Sequence, residues 1–331
     1  MGTKARSINY AKKLKVDFVE IDVPDPKHGE VQVEGLACGI CAWDLHVYKN
    51  GSDWPSLPGH EGVARVVKVG PGVKKVKEGD LVAGHGLGFS ELHTLPATKL
   101  YVLPKSDRPV HQWIVEPVSC IVTGLDHCKL RAGDRIAVVG CGFMGLMFVQ
   151  ALAKSFVDRL IAIDVDRGRL AMAKRFGAHT VYDGRKVNVK KLRELKLDTV
   201  VDCSGSQAGL DLSSQIVRDG GRLNLFGWNH GRGEFPGDIW HMRGITVVNS
   251  APNSAERDPW PVAIRLIDRG LIDLAPLVSH IVPLDQYPSL LARATKPKSG
   301  YLKGVVQIKP AETIETRIPR RVGGNGAVVL S

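Results

Sequence analysis

The sequence predicts an α/β protein made of a doubly wound parallel sheet and a second, β-rich unit. Three observations carry that expectation. After about residue 117, short apolar runs alternate with helical stretches, the pattern of βαβ units on a parallel sheet. A glycine-rich turn, Gly140-Cys141-Gly142-Phe143-Met144-Gly145, closes the first of those runs and opens a helix. The first 110 residues read instead as short β-runs separated by Gly and Pro, as in a barrel-like unit. With 331 residues, and roughly 150 per domain, a two-domain chain is expected.

In chain order, the β-runs are VDFVEIDV (16–23), VQVEGLA (31–37), GVARVVKVG (62–70), DLVAG (80–84) and KLYVLP (99–104). The alternating region then gives RIAVVG, FMGLMFVQALAKSF, LIAID, RGRLAMAKRFGA, DTVVDCSG, AGLDLSSQIVRD and GRLNLFG. From about residue 249 the pattern turns irregular, with a helix expected over Pro259 to Arg269, a closing strand LKGVVQIK, and a C-terminal tail. The run Ile136 to Ala153 is nearly all apolar, Gln150 being its strongly polar member, but its glycines argue against a membrane span.

With 44% hydrophobic and 24% charged residues the composition is that of an ordinary globular chain, which excludes disordered and fibrous classes. The formal charge of +11 is the unusual feature. Its cations form short clusters (Lys4, Arg6, Lys12, Lys13 and Lys15; Lys74, Lys75 and Lys77; Arg185 to Lys196), and aromatic residues do not interleave with them. A nucleic-acid surface would want a continuous basic stripe or stacking platforms, so scattered solvated charge is expected and no nucleic-acid or membrane partner. Six well-spread cysteines suit a reducing compartment, and the N-terminal residues show no apolar signal core, so a cytoplasmic location is expected.

The glycine turn has definite mechanics. The first glycine permits the tight turn, the second admits a pyrophosphate to the backbone, and the third lets helix and strand pack closely, with the helix N-terminus facing the phosphates. Phe143 and Met144 complete the turn. Asp164 closes the next strand at about the spacing of a ribose-binding carboxylate, which favours NAD over NADP, with Arg167 and Arg169 nearby. The expectation is a Rossmann-type NAD site.

Upstream stand Cys38-Gly39-Ile40-Cys41-Ala42-Trp43-Asp44-Leu45-His46, then Pro58-Gly59-His60-Glu61-Gly62, then Glu116-Pro117. Thiolate, imidazole and carboxylate form a credible zinc set, and three protein ligands leave the open position that catalysis needs. By spacing alone, Cys38-x-x-Cys41 could equally be half of a structural zinc site or a redox pair.

Taken together, GICxxDxH (Gly39 to His46), GHEG (Gly59 to Gly62), GPGV with KEGD (Gly70 to Asp80), the EP pair and GCGFMG run in the order of a known family. The sequence resembles the medium-chain dehydrogenase/reductase superfamily, in its zinc-dependent alcohol, sorbitol and threonine dehydrogenase branch. The resemblance implies a GroES-like catalytic domain from residues 1–117 and 249–331 around a Rossmann domain at 118–248. It implies Cys41 and His60 as zinc ligands, Glu116 as the third, and Glu61 as an alternative or exchanging ligand. Asp44 would orient a ligand, His46 would serve a proton relay, and Lys303 would reach the pyrophosphate. The other cysteines would be small buried hydrophobes, with Cys120 close to Glu116. A homodimer or homotetramer is implied.

Two features depart from the family pattern. Trp43 stands where a relay Ser or Thr is usual, and an indole N–H cannot accept a proton. Glu61, a metal-bound water or His46 through a water would then take it, while Trp43 and Trp54 offer apolar faces to a ring-shaped substrate. The four-cysteine lobe of many relatives is missing from Asp80 to Glu91, so one catalytic zinc per subunit and no structural zinc are expected. The polyol-type Glu116 points to a secondary alcohol on a polyol, sugar or cyclitol. The alternatives are a zinc-free quinone reductase-type relative and a non-catalytic NAD-binding protein.

Overall fold

A parallel sheet and a mostly antiparallel sheet organise the computed structural model, which describes residues 2–51, 58–228, 233–296 and 300–309. The first part of the chain gives β1 (Thr3–Lys12), β2 (Lys15–Val23), β3 (Glu30–Gly39), α1 (Ala42–Asn50), β4 (Glu61–Val69), β5 (Leu81–Gly84), β6 (Leu92–Pro96) and β7 (Leu100–Val102). Helix α2 (Val115–Cys128) leads into β8 (Arg135–Val139), α3 (Phe143–Ala153), β9 (Arg159–Asp164), α4 (Arg167–Arg175), β10 (Thr180–Asp183), α5 (Val189–Glu194), β11 (Leu197–Asp202), α6 (Gln207–Ile216), β12 (Val217–Leu225), α7 (Gly237–Met242) and β13 (Thr246–Asn249). The chain continues through α8 (Trp260–Asp268), β14 (His280–Pro283), α9 (Tyr287–Ala294) and β15 (Gly304–Gln307).

Strands β10-β9-β8-β11-β12-β13 lie in that spatial order and pair in parallel. The order reverses between β8 and β11, so the carboxyl ends of those two strands open the crevice in which such sheets bind ligands. The second sheet runs β14-β15-β3-β4-β5-β7, with β6 also on β3. The late strands β14 and β15 therefore share a sheet with the early ones. A single apolar core joins the two sheets: Leu36, Ala37 and Val63 of one pack in the same cluster as Ile136 and Val138 of the other, with α2, α3 and α8 between them.

The apolar run from Ile136 to Ala153 is two elements, β8 and α3, separated by the glycine turn. Gln150 within it is buried and bonds the Asp273 backbone twice, donating to O at 3.0 Å and accepting from N at 2.6 Å. Among the described residues no helix is long and apolar enough to cross a membrane. The N-terminal basic cluster falls on the β1–β2 hairpin, where Lys4 sits beside Glu20 and Asp22 on the neighbouring strand, which is solvated charge rather than a binding stripe. The sequence reading missed β1, β10, β13 and β14. The polar, charged β1 forms a strand only because β2 supplies the other half of the ladder.

His93 on β6 is a buried imidazole opposite Val33 of β3. Burial holds its pKa down, from 6.5 to about 4. Between those values the unfolded chain binds the proton and the folded chain does not. The stabilisation is therefore complete above pH 6.5 and is lost as pH falls toward 4, by about 3 kcal/mol in all. Denaturation of the wild type and His93→Gln across pH 4 to 7 should show this extra slope in the wild type alone.

Candidate functional site

The site begins at the carboxyl end of β3. Antiparallel pairing places Gly39 opposite Glu61 at the start of β4, so motifs twenty or so residues apart meet at one point. A Cβ at Gly39 would lie 2.0 Å from Glu61 Oε2, so glycine is what lets the carboxylate in. Gly59 has φ +89°, and a Cβ there would strike the Phe89 ring at 2.6 Å, which fixes the turn presenting His60. Cys41 caps α1, and the Asp44 carboxylate accepts its backbone N–H at 2.8 Å, closing the helix's first turn.

These constraints bring Cys41 Sγ, a His60 ring nitrogen and a Glu61 carboxylate oxygen within 4.8 Å of one another. Cys38 is not among them. It packs in the core with Ile8, Phe89 and Tyr287, which removes it from the Cys38/Cys41 alternative left open by spacing. Glu116, in the first turn of α2, stands outside that tight group and accepts a hydrogen bond from the Cys120 thiol at 3.4 Å. Burial raises its pKa, with the nearby His60 pulling against that and the Glu61 charge adding to it. Burial likewise pushes the Cys41 thiol well up.

Asp44 is buried beneath this group. Burial raises its carboxyl to about 6, while the facing His60 and the Cys41 amide pull it back. Tyr10 of β1 donates to it at 3.2 Å and also hydrogen-bonds Tyr287 of α9. Sequence reasoning missed both tyrosines, which come from opposite ends of the chain and carry no local signal.

Lys303 has other partners than the expected pyrophosphate. Its ammonium lies 2.6 Å and 2.5 Å from the two Glu61 oxygens and donates to the Ile40 carbonyl at 2.8 Å. Burial works against that charge, but the Glu61 carboxylate outweighs it and holds the lysine above its ordinary range. The same ammonium sits 4.7 Å from the centre of the Phe143 ring. Phe143 is the first residue of α3, so the thiolate–imidazole–carboxylate group abuts the glycine turn.

In that turn Gly140 has φ +91°, and a Cβ on Gly145 would fall 1.8 Å from the Gly140 carbonyl oxygen. A Cβ at Gly142 would meet nothing within 4 Å, which leaves open space where a pyrophosphate needs it. Met144 follows Phe143 in the first turn of α3. Asp164, at the end of β9, accepts the Cys141 N–H at 2.6 Å and the Asp166 N–H at 2.7 Å, tying the glycine turn to the next one. Asp166 caps α4 through the Arg169 N–H at 2.9 Å, so Arg169 stands in the first turn of that helix.

Trp43 and His46 lie on α1 with ring centroids 5.8 Å apart, and Asn50 hydrogen-bonds His46. Sequence reasoning missed their neighbour Trp228, which stacks on Trp43 at 5.3 Å. The signal available was an aromatic residue just past the carboxyl end of a central parallel strand. Trp54 and the C-terminal tail lie outside the described residues.

A sequence profile for the alcohol dehydrogenase GroES-like domain matches residues 27–105, and one for zinc-binding dehydrogenases matches 144–269. The chain is 28% identical to sorbitol dehydrogenase of Bacillus subtilis, over 92% of this chain and 96% of that enzyme. It is 26% identical to D-arabinitol dehydrogenase 1 of Uromyces fabae, over 86% of this chain and 92% of that one. The crystal structure of L-idonate 5-dehydrogenase from Escherichia coli superposes with a TM-score of 0.84 at 19% identity, covering 93% of this chain and 99% of that one, which shows the shared fold. With a Rossmann-type sheet, a GroES-like unit and both profiles in order along its length, the chain belongs to the zinc-dependent medium-chain dehydrogenase/reductase family.

Proposed function

We propose that this protein oxidises a secondary alcohol of a polyol, sugar or cyclitol, reversibly, with NAD as hydride acceptor and one zinc ion per chain. The observation that carries the reading is the contact of two sites. Lys303 touches Glu61 of the thiolate–imidazole–carboxylate group on one side and Phe143 of the glycine turn on the other. An alcohol held at the first site has its carbinol carbon beside a cofactor held at the second.

The donor set fits a divalent cation. The buried Glu61, the half-buried Glu116 and a Cys41 thiolate would place three negative charges close together against the buried Lys303 cation. Without further positive charge, burial favours the protonated forms of Cys41 and Glu116. Cys41, His60 and a carboxylate from Glu61 or Glu116 would hold the ion, so loading it releases protons. Bound zinc supplies Lewis acidity toward the substrate oxygen, and bound NAD supplies the hydride acceptor.

The chain's own residues do the rest. Asp44 fixes the first turn of α1, and so Cys41; Lys303 fixes Glu61. Gly142 admits the pyrophosphate, and Asp164 and Arg169 bound the ribose position. The reaction converts CH–OH to C=O, sends the C–H electron pair as hydride to NAD, and releases the hydroxyl proton. Trp43 cannot accept that proton. Glu61 and His46 are the acceptors the chain offers in its place.

Four measurements test this reading. Elemental analysis should find one zinc per chain, lost in Cys41→Ser and His60→Ala. Chelation should abolish NAD reduction across a polyol and sugar panel, whereas two zinc ions, or activity indifferent to chelation, would count against it. Asp164→Asn should lower kcat/KM for NAD about tenfold or more while sparing NADP, because the carboxylate that accepts from the ribose hydroxyls is gone; steady-state kinetics with both cofactors reads this. Lys303→Met leaves a buried carboxylate uncompensated and should cost about 3–5 kcal/mol in the metal-free protein. The loss should shrink with zinc bound, as urea denaturation with and without metal would show.

A further inference from the structure

Trp43 and Trp228 belong to different sheets. Trp43 is on α1, whose cap is Cys41 at the end of β3, whereas Trp228 follows β12 of the parallel sheet. Their rings nevertheless stack across the crevice, with centroids 5.3 Å apart and planes inclined by 21°. The His46 ring extends the surface, 5.8 Å from Trp43 and 5.7 Å from Trp228. Trp228 is held by its backbone: the Asp202 carbonyl accepts from Phe226 N at 3.0 Å and Gly227 N at 2.7 Å, and a Cβ on Gly205 would come within 2.9 Å of the Trp228 carbonyl oxygen. The wall is thus built from both sides and anchored on each.

Both indoles stay substantially open to solvent, Trp43 by 37% and Trp228 by 54%. Large aromatic surface left exposed beside a polar cluster marks a binding face. Over the two indoles its chemistry is one-sided, since an indole offers an N–H donor and a flat π-face but no acceptor, while the His46 imidazole at the edge of the wall can accept. An open-chain polyol carries hydroxyls on every side. Pressed against this wall, some of them lose water with no acceptor in return, at about 1–3 kcal/mol each. A six-membered ring can turn its hydroxyls toward the polar cluster and lay a face of C–H bonds on the indoles.

We propose that the Trp43–Trp228 wall selects a six-membered-ring polyhydroxy alcohol, a cyclitol or pyranose, over an open-chain polyol. This rests on the dehydrogenase reading above and narrows it.

The test is NAD reduction by an inositol, a methyl pyranoside and an open-chain hexitol, with the wild type, Trp228→Ala and Trp228→Phe. The wild type should favour a ring substrate at least tenfold in kcat/KM. Trp228→Ala should cut the ring-to-chain ratio at least tenfold, through KM, and Trp228→Phe should restore most of it. A wild type that favours the hexitol, or an equal loss for both shapes in Trp228→Ala, overturns the proposal. If no alcohol reduces NAD, the dehydrogenase reading fails by itself, and tryptophan fluorescence titrations with the same compounds decide about the wall. A saturable change with the ring compounds that Trp228→Ala loses upholds it; no change, or an equal one with the hexitol, overturns it.

Discussion

The buried pair between Lys303 and Glu61 holds together three parts of the sequence that share no local structure. Glu61 opens β4, Lys303 precedes β15, and the Phe143 ring beside the ammonium begins α3. Both charged side chains are almost wholly removed from water, at 4% and 2% exposure. Desolvating two ions costs several kcal/mol each, and their mutual attraction recovers this only in good geometry with further hydrogen bonds. Here the Ile40 carbonyl takes one ammonium proton, and the space left by Gly39 admits the carboxylate. An apolar pair of the same volume would cost less but could not hold a carboxylate beside Cys41 and His60. The pair therefore specifies an arrangement more than it adds stability.

That arrangement explains why the glycines of the site matter more than their number. Gly39 admits the Glu61 carboxylate, Gly59 turns the chain before His60, and Gly145 lets α3 approach the Gly140 carbonyl. Each removes a Cβ where backbone or a fixed side chain already stands. The chemistry-bearing side chains are thus positioned by closely approaching backbone, which is stiffer than side-chain packing.

What could be read from the sequence follows the range of the interactions. The glycine turn and the Cys41, His60 and Glu61 motifs are local: each declares its conformation within a few residues, and the β3–β4 register then brings them together. The alternation of strand and helix after residue 117 is legible for the same reason. No local pattern around Lys303 shows that a carboxylate 242 positions away holds its ammonium, so the sequence alone points it toward a pyrophosphate. Trp228, Tyr10 and Tyr287 escaped notice likewise, because each gains its meaning from a partner on a distant element. Trp43 could be recognised as a departure, but the ring stacked against it could not be foreseen.

Under the proposed reading, Trp43 in place of a relay hydroxyl also changes what the site must do with a proton. A serine or threonine at that position both donates and accepts, so it can pass a proton along. Trp43 can only donate, and its ring packs with those of His46 and Trp228 in one mutual cluster. The same substitution that removes an acceptor adds a flat apolar face, and Trp228 from the other sheet enlarges it. Under the proposed reading, the polar demands of the reaction then fall mainly on the group where Cys41, His60 and Glu61 converge. A site with its charged groups on one side and aromatic faces on the other would constrain orientation as well as identity. A substrate bound with its hydroxyls toward the indoles would leave them unsatisfied, while one bound by its C–H face offers the reacting carbinol to the polar side.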